Sequence, residues 1–152
     1  MKVIMYTDGA AKGNPGPGGY GTVLLHKDLR KELSEGYRLT TNNRMELLAV
    51  IRGLQALKRP GVQVDVYSDS QYVVNSVEKG WLAGWVKKGF KGKKNQDLWE
   101  EYLKASSPHK VKFHWVKGHA GNVENERCDQ LAVQSAEAPH LLVDQGFEDS
   151  TT

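Results

Sequence analysis

The apolar positions along the chain follow strand-like and helix-like periods that predict five strands and five helices. Strands are predicted where apolar runs or alternation are bounded by turn residues, at 2–8, 20–26, 31–39, 62–66 and 111–116. Short helical stretches are expected near 70–78, 81–88 and 97–105, and a further helix at 124–138. The clearest helix begins at Asn43, ends before Pro60, and has apolar residues at helical spacing: Leu47, Val50, Ile51, Leu54 and Leu57.

This order of elements predicts an α/β fold, a five-stranded mixed sheet flanked by helices. Helical crossovers make strands one, four and five parallel neighbours, whereas the opening three strands form an antiparallel meander. Residues 13–21 carry two prolines and five of the glycines, which predicts a turn. Asn43 is expected to cap the first helix, with Glu46 reaching back to it. Asp8 and Asp69 are each expected to end a strand, at the sheet edge where ligands gather in such folds.

The length of 152 residues is typical of one domain, and we expect this domain at 1–138, followed by a flexible tail at 139–152. No apolar stretch is long enough to cross a bilayer, and Asp8 comes too early for a signal peptide. The single cysteine, Cys128, excludes an intramolecular disulfide and is expected to be buried. These features predict a cytoplasmic protein, and we expect it to be a monomer because no apolar helix face is left over.

The formal charge of +3 conceals a strongly basic segment. The segment from Lys79 to Lys94 carries six lysines and no acid, so the rest of the chain is mildly acidic. Tryptophans 81 and 85 are interleaved with these lysines. Lysines make salt-sensitive contacts with phosphates, and aromatic faces pack on sugars or bases. The segment is therefore predicted to bind a polyanion, although Trp81 and Trp85 could instead bury one face of a helix.

Four acidic residues stand in distinct local motifs: Asp8, Glu46, Asp69 and Asp129. If carboxylates on different elements converge, they repel each other strongly unless divalent cations lie between them. Carboxylate oxygens suit Mg²⁺, which also keeps water ligands and binds substrate phosphates. The acids therefore suggest cleavage of a phosphodiester at a two-metal centre. Any one of them, taken alone, would more often be a surface charge or a helix cap.

Five motifs in order resemble those of the type 1, or bacterial, ribonuclease H family. They are Thr7-Asp8-Gly9, the segment from Gly13 to Gly21, Thr41-Asn42-Asn43-Arg44-Met45-Glu46, Ser68-Asp69-Ser70-Gln71 and Trp115-Val116-Lys117-Gly118-His119. The likeness extends over about residues 2–138. It implies a ribonuclease H-like fold and endonucleolytic cleavage of the RNA strand of an RNA–DNA hybrid, leaving 5′-phosphate and 3′-hydroxyl ends.

The resemblance also implies the site. Two Mg²⁺ ions, for which Mn²⁺ could substitute, would be bound by Asp8, Glu46, Asp69 and Asp129. His119, in a glycine-rich loop, would help to activate water or release product, as imidazoles exchange protons near neutral pH. The basic segment resembles the handle of the bacterial enzymes, in which the substrate-binding side chains would include Trp81, Trp85, Lys87 and Lys88.

Further polar residues are candidates for contacts with the hybrid. Distinguishing RNA from DNA requires contacts with 2′-hydroxyls across a wide minor groove. Asn14, Asn42 and Gln71, near the predicted metal ligands, are expected to make them. Candidates for a pocket that binds a phosphate of the DNA strand are Thr41, Asn43, Arg44 and Asn95.

Three alternatives stay open from the sequence. One is a DNA nuclease of the resolvase or integrase type, built on the same acidic sheet, against which Asn14, Gln71 and the basic segment argue. A second is a module that binds hybrids without cutting them, although all four acids are present. A third is a ribonuclease domain taken from a reverse transcriptase polyprotein, against which the initial methionine and the basic segment argue.

Overall fold

A computed structural model of the chain describes residues 1–151 and contains one five-stranded sheet. The order of the strands across the sheet is β3-β2-β1-β4-β5. In chain order they are β1 (Lys2–Ala11), β2 (Gly16–His26), β3 (Leu29–Thr40), β4 (Gln63–Ser68) and β5 (Lys110–Trp115).

Six helices connect or follow these strands in residues 1–151. The first four are α1 (Asn42–Gln55), α2 (Gln71–Glu78), α3 (Trp81–Lys87) and α4 (Gln96–Ser106). The remaining two are α5 (Val123–Ala136) and α6 (Gln145–Ser150). The sixth helix was not predicted from the sequence.

The predicted strand directions are confirmed. The β1, β2 and β3 strands form an antiparallel meander, and β4 runs parallel to both β1 and β5. The main core lies between one face of the sheet and the helices α1 to α4, where apolar residues at alternating strand positions meet the buried face of α1. On the opposite face, α5 packs against β1, β2 and β3.

The glycine-rich segment is mostly strand rather than turn, because its glycines allow a helix to pack directly on the sheet. Residues from Gly16 onward belong to β2. A Cβ atom at Gly19 would lie 2.5 Å from the carbonyl oxygen of Ala132, and one at Gly21 would lie 2.3 Å from that of Cys128. These positions therefore have to be glycine for the backbone of α5 to reach β2. The prediction of a turn over residues 13–21 was wrong for this reason.

Two local predictions around α1 and β1 were also wrong. Thr41, not Asn43, caps α1, and its Oγ1 accepts a hydrogen bond from the Arg44 amide at 3.3 Å. Glu46 does not reach back to the helix start; its Oε1 accepts a hydrogen bond from the amide of Gly9 at 2.7 Å. Asp8 lies inside β1 rather than at its end, since pairing with β2 continues to Ala11.

Residues 139–151, which the sequence suggested were a flexible tail, pack against the domain. The Leu142 amide donates to the Gly36 carbonyl at 2.8 Å, and the Leu142 carbonyl accepts from the Arg38 amide at 2.9 Å. Asp144, 8% exposed, caps α6 and accepts a hydrogen bond from Thr40 Oγ1 at 2.7 Å. The segment therefore extends the edge of the sheet beside β3 and then buries a carboxylate.

Asp144 completes an ion-pair triad with Arg44 and Asp97, in which Arg44 and Asp144 are buried and Asp97 is exposed. Arg44, 3% exposed, donates from Nε and Nη2 to the Asp144 carboxylate at 2.8 Å. Its Nη1 and Nη2 also donate to Asp97 Oδ1 and Oδ2 at 2.8 and 2.7 Å. The Arg44 guanidinium is thus satisfied by two carboxylates, and these contacts tie α1, α4 and the C-terminal segment together.

Two smaller observations complete the fold. Cys128 is fully buried, as predicted, and burial raises the pKa of its thiol. Within residues 1–151, no helix combines the length and the apolar character needed to cross a membrane.

We expect Asp144→Ala to lower the free energy of unfolding by about 3–5 kcal/mol, because it leaves the buried guanidinium of Arg44 only partly compensated. Urea denaturation checks this value. Glu148→Ala is the matched control on the same helix, since Glu148 pairs with Arg38, an exposed side chain, at 2.8 Å. The control should lower the free energy of unfolding far less, because solvent screens the pair between Glu148 and Arg38. Equal losses in the two variants would contradict the role given to the triad.

Candidate active site

Three carboxylates from separate elements converge beside the middle of the sheet. Asp8 lies on β1, Glu46 on α1, and Asp69 directly after β4. Each offers an oxygen atom, and these atoms all lie within 4.8 Å of one another. Asp8 and Glu46 are buried, at 6% and 7% exposure, and Asp69 is half-buried.

Two glycines allow the elements that carry these acids to approach each other. A Cβ atom at Gly9 would lie 2.3 Å from the backbone nitrogen of Glu46, so β1 and α1 could not lie this close with a larger residue. The Gly9 amide instead donates to Glu46 Oε1 and, at 2.9 Å, to Asp8 Oδ1. A Cβ atom at Gly118 would lie 2.6 Å from Asp69 Oδ2. Gly118 thus allows the loop after β5 to pass directly over Asp69.

The carboxylates are held in an environment that disfavours their charges. Burial, with repulsion from Asp69 and Asp129, raises the pKa of Asp8 to about 7. Burial and the neighbouring Asp8 raise the pKa of Glu46 well above its usual value. Burial also raises the pKa of Asp69, against the effect of nearby His119. The site therefore stores repulsion that a bound cation would relieve.

The residues fit a divalent cation. Glu46 Oε2 is buried and has no hydrogen-bond partner among residues 1–151, so one ligand oxygen is left available inside the cluster. The three acids supply hard oxygen ligands of the kind that Mg²⁺ and similar ions prefer. A buried and unpaired carboxylate oxygen is costly, and coordination to a cation would satisfy it.

Asp129 and His119 lie at the border of this cluster. Asp129, half-buried on α5, is not among the three acids within 4.8 Å of one another, but its charge acts on both Asp8 and Asp69. His119 is exposed, has a φ of 55°, and interacts electrostatically with Asp69. The loop that carries His119 is therefore next to the carboxylates.

Three grooves that share residues lead away from the carboxylates and collect most of the predicted substrate-binding side chains. The first, of about 530 Å³, is lined by Glu46 and Asp69 together with Asn42, Asn43 and Gln71. The second, of about 640 Å³, shares Asn43 and continues past Asn14, Thr41, Arg44, Lys93 and Asn95. The third, of about 560 Å³, shares Lys93 and includes Trp81, Trp85, Lys88 and Lys91.

Three of the predicted binding residues differ from the others in their placement. Arg44 forms the floor of the second groove, where its charge is already neutralised by the two aspartates. Lys87 is exposed but lines none of the three grooves. Of the two tryptophans that could have buried a helix face, Trp81 is 45% exposed, whereas Trp85 packs against Trp99 with ring centroids 6.0 Å apart.

Comparison with known proteins identifies the group to which this arrangement belongs. A family model described as RNase H matches residues 1–137. A ribonuclease H of Desulforamulus reducens is 60% identical over 148 residues, which cover 94% of this chain and 92% of that protein. A ribonuclease HI of Synechocystis is 51% identical over 151 residues, which cover 95% and 94% of the two chains. The chain belongs to the ribonuclease H family.

Solved structures agree with this assignment. LC9-RNase H1, described as a type 1 RNase H with the type 2 active-site motif, superposes with a TM-score of 0.82 at 32% identity. That match covers 99% of this chain and 81% of LC9-RNase H1. LC11-RNase H1, solved in complex with an RNA/DNA hybrid, has a TM-score of 0.64 at 28% identity, over 89% and 96% of the two chains. The predicted fold, family and enzyme class, an endoribonuclease acting on RNA–DNA hybrids, are thereby confirmed.

Sequence reasoning missed the two glycines that shape this ribonuclease H site. The sequence placed Gly9 and Gly118 in motifs but gave neither a role of its own. The sequence does contain a signal for them, because Gly9 directly follows Asp8 and Gly118 directly precedes His119. A glycine at such a point often marks a close approach of backbone to another group.

We expect Asp8→Asn to stabilise the metal-free protein at neutral pH. The pKa of Asp8 is about 7 in the folded state and 3.8 in the unfolded state. Between pH 3.8 and pH 7, Asp8 is therefore protonated in the folded protein and ionised in the unfolded protein. Stability is therefore lost as the pH rises through this window, and the variant avoids that loss. In EDTA the gain at pH 7 should be at least about 1 kcal/mol and should shrink toward pH 4.

Thermal unfolding of both proteins across this pH range measures the effect. Asp28→Asn, at an exposed position between β2 and β3, is the control and should give no pH-dependent gain. An Asp8→Asn variant that is less stable than the wild type at pH 7 would show that the site is not strained.

Proposed function

We propose that the protein hydrolyses the RNA strand of RNA–DNA hybrids at a centre of two Mg²⁺ ions, leaving 5′-phosphate and 3′-hydroxyl ends. Asp8, Glu46, Asp69 and Asp129 would hold the ions, and Mn²⁺ could replace Mg²⁺. The observation that carries the proposal is the convergence of three carboxylates, whose ligand oxygens lie within 4.8 Å of one another. One of these acids, Glu46, has a buried Oε2 without a hydrogen-bond partner in residues 1–151. Asp129 is included because its charge reaches both Asp8 and Asp69.

When bound, divalent ions supply an activated water and positive charge that stabilises the leaving oxygen in phosphodiester hydrolysis. The contribution of this chain is to fix the ligand oxygens before substrate arrives. The Gly9 amide orients the carboxylates of both Asp8 and Glu46. Ser70 caps α2 directly after Asp69, and the Trp115 indole donates to the Asp69 carbonyl at 3.1 Å. Such preorganised ligands lower the cost of reaching the transition state.

His119 is proposed to move protons at this centre. Its imidazole is exposed and lies near Asp69 on the loop that follows β5. A side chain in that position can accept a proton from the attacking water or donate one to the departing 3′-oxygen. His119 has a left-handed backbone conformation and directly follows Gly118, which lies against Asp69.

The hybrid is proposed to lie along the three connected grooves. Asn14, Asn42 and Gln71 would contact the minor groove beside the scissile bond, where 2′-hydroxyls distinguish RNA from DNA. Asn14 and Asn42 are already coupled, since Asn14 Oδ1 accepts from the Asn42 amide at 3.0 Å. Asn42 Oδ1 in turn accepts from the Ala11 amide, which links both side chains to β1.

The DNA strand is proposed to occupy the second and third grooves. Thr41, Asn43 and Asn95 would bind a phosphate there, while Arg44 positions Asn95 through a hydrogen bond of 3.4 Å. Beyond them, Lys93 lies over the Trp85 ring with its nitrogen 5.5 Å from the centroid. The exposed Trp81 and the lysines of the basic segment, including Lys87 and Lys88, would hold the backbone farther from the metal centre.

We also propose that the protein acts as a monomer in the cytoplasm. All four acids of the proposed centre belong to one chain, so the site needs no second copy. The unpaired and fully buried thiol of Cys128 suits a reducing compartment.

Cleavage of a labelled RNA–DNA hybrid tests the proposed function. The wild type should cut the RNA strand with Mg²⁺ and not with EDTA. Asp8→Asn should reduce the rate by at least about a hundredfold, because metal-based charge stabilisation contributes several kcal/mol to such reactions. Asp28→Asn should cut at the wild-type rate. Binding without cutting by the wild type would favour a non-catalytic hybrid-binding module, and cutting of duplex DNA would favour a DNA nuclease.

Salt dependence tests the role of the basic segment. Replacing Lys87, Lys88, Lys91, Lys93 and Lys94 with alanine should weaken hybrid binding and flatten the plot of log K against log salt. Each lost phosphate contact should reduce the slope by about 0.7–0.9. Alanine at Lys27, Lys31 and Lys58, which lie outside the segment, should leave the slope unchanged. An unaltered slope in the first variant would remove the segment from hybrid binding.

A further inference from the structure

Three aromatic rings form a continuous stack across three neighbouring strands. The rings of Tyr6 on β1 and Tyr67 on β4 have centroids 5.1 Å apart and an interplanar angle of 20°. The rings of Tyr67 and His114 on β5 are 4.8 Å apart at 19°. We refer to Tyr6, Tyr67 and His114 as the ring stack. None of its members is used by the site described above.

The ring stack ends at an open edge of the sheet. Val66 and Phe113 are buried in the main core, so the alternating residues Tyr67 and His114 project from the opposite face. Tyr6 packs against the small apolar cluster beneath α5, which closes that end of the stack. At the other end β5 is the last strand of the sheet, and the side chain of His114 is 32% exposed.

The outer ring is held in a fixed orientation. His114 Nε2 lies 2.8 Å from Asp65 Oδ1, and the same carboxylate pairs with Lys2 at 3.2 Å. One face of the imidazole is covered by Tyr67, and one ring nitrogen is engaged by Asp65. The remaining face of His114 is therefore an aromatic surface that is already ordered, so that little conformational entropy is lost when a planar ligand stacks on it.

The surroundings of this surface are basic. Lys110 and Lys112 are exposed and share with His114 the same face of β5. With Lys2, Gln63 and Asp65 they line a shallow groove of about 350 Å³. The groove therefore has three lysines and one carboxylate, and its net positive charge favours binding of a polyanion over binding of a basic protein.

The ring stack lies immediately behind the active-site carboxylates. Tyr6 and Asp8 are two residues apart on the same face of β1, and Tyr67 precedes Asp69 by two residues. Two residues of strand advance about 6.6 Å, which corresponds to about two base steps of 3.4 Å. A strand that leaves the catalytic centre could therefore reach the ring stack after a few nucleotides.

We propose that His114, backed by Tyr67 and Tyr6, is a stacking site for an unpaired base of the RNA strand where that strand extends beyond the hybrid. Aromatic rings carried on a sheet are suited to single-stranded nucleic acid, because each base has a π face regardless of its identity. Lys110 and Lys112 contact the phosphates that flank the stacked base. The inference rests on the proposed function, since it requires the RNA strand to pass Asp8 and Asp69.

Binding measurements in an Asp8→Asn background with EDTA, in which no cleavage is expected, test this inference. Fluorescence anisotropy compares a blunt hybrid with the same hybrid carrying a short unpaired extension on the 5′ or 3′ end of its RNA. One of the two RNA extensions should tighten binding by about fivefold or more, as expected for one stacked base. An extension of the DNA strand should add less. A fluorescent adenine analogue in the effective extension should be quenched on binding.

Variants at position 114 separate stacking from charge. His114→Ala should abolish the gain and the quenching while leaving the affinity for the blunt hybrid unchanged. His114→Trp keeps a ring but loses the bond to Asp65, and it should retain the gain. His140→Ala, an exposed histidine of the C-terminal segment, is the matched control and should behave as the parent. Thermal unfolding confirms that the variants are folded.

An equal affinity for blunt and extended hybrids would overturn the inference, as would a gain that survives His114→Ala. In either case, binding of the blunt hybrid would leave the proposed function intact. Failure of the parent to bind any hybrid would instead overturn the proposed function, and the stacking site with it.

Discussion

Repulsion among the carboxylates of Asp8, Glu46 and Asp69 is the constraint on which the rest of the structure depends. Two unit charges no more than 4.8 Å apart repel by about 3 kcal/mol or more at an effective dielectric constant of 20. Burial of Asp8 and Glu46 adds to this cost. The folded chain tolerates it because each acid is carried by a different and firmly packed element, so none can move away without breaking core contacts.

The scaffold that resists this repulsion depends on close backbone packing and on the buried guanidinium of Arg44. Glycines at 19 and 21 bring α5 onto β2, and Gly9 brings β1 against the start of α1. Arg44, near the start of α1, is held by Asp97 and Asp144 and so anchors the helix that carries Glu46. Contacts far from the carboxylates, in the C-terminal segment, therefore support the position of Glu46.

The same sheet has a proposed substrate surface on each side of the carboxylates. On one side the connected grooves extend from Gln71 to the basic segment, and on the other the ring stack extends to His114 at the sheet edge. A duplex suits the first surface, where lysines and amides line a long track. A single strand suits the second, where one ordered ring face is surrounded by lysines. The proposed metal centre lies between the two surfaces.

The sequence by itself determined the strand order, the mixed sheet, the basic segment and four candidate acids, of which the structure brings Asp8, Glu46 and Asp69 within 4.8 Å of one another. These follow from local periodicity and from motifs in which each residue type has a chemical reason to be present. Only the tertiary structure decided what depends on contacts between distant segments. The glycines of β2 have the sequence pattern of a turn, and only the packing of α5 shows why they belong to a strand. Asp144 lies in a segment with the sequence pattern of a flexible tail, and only its ion pair with the buried Arg44 shows that the segment is packed. Ring stacking of Tyr6, Tyr67 and His114 likewise required the strand register, because residues so far apart in sequence become neighbours only when parallel strands pair.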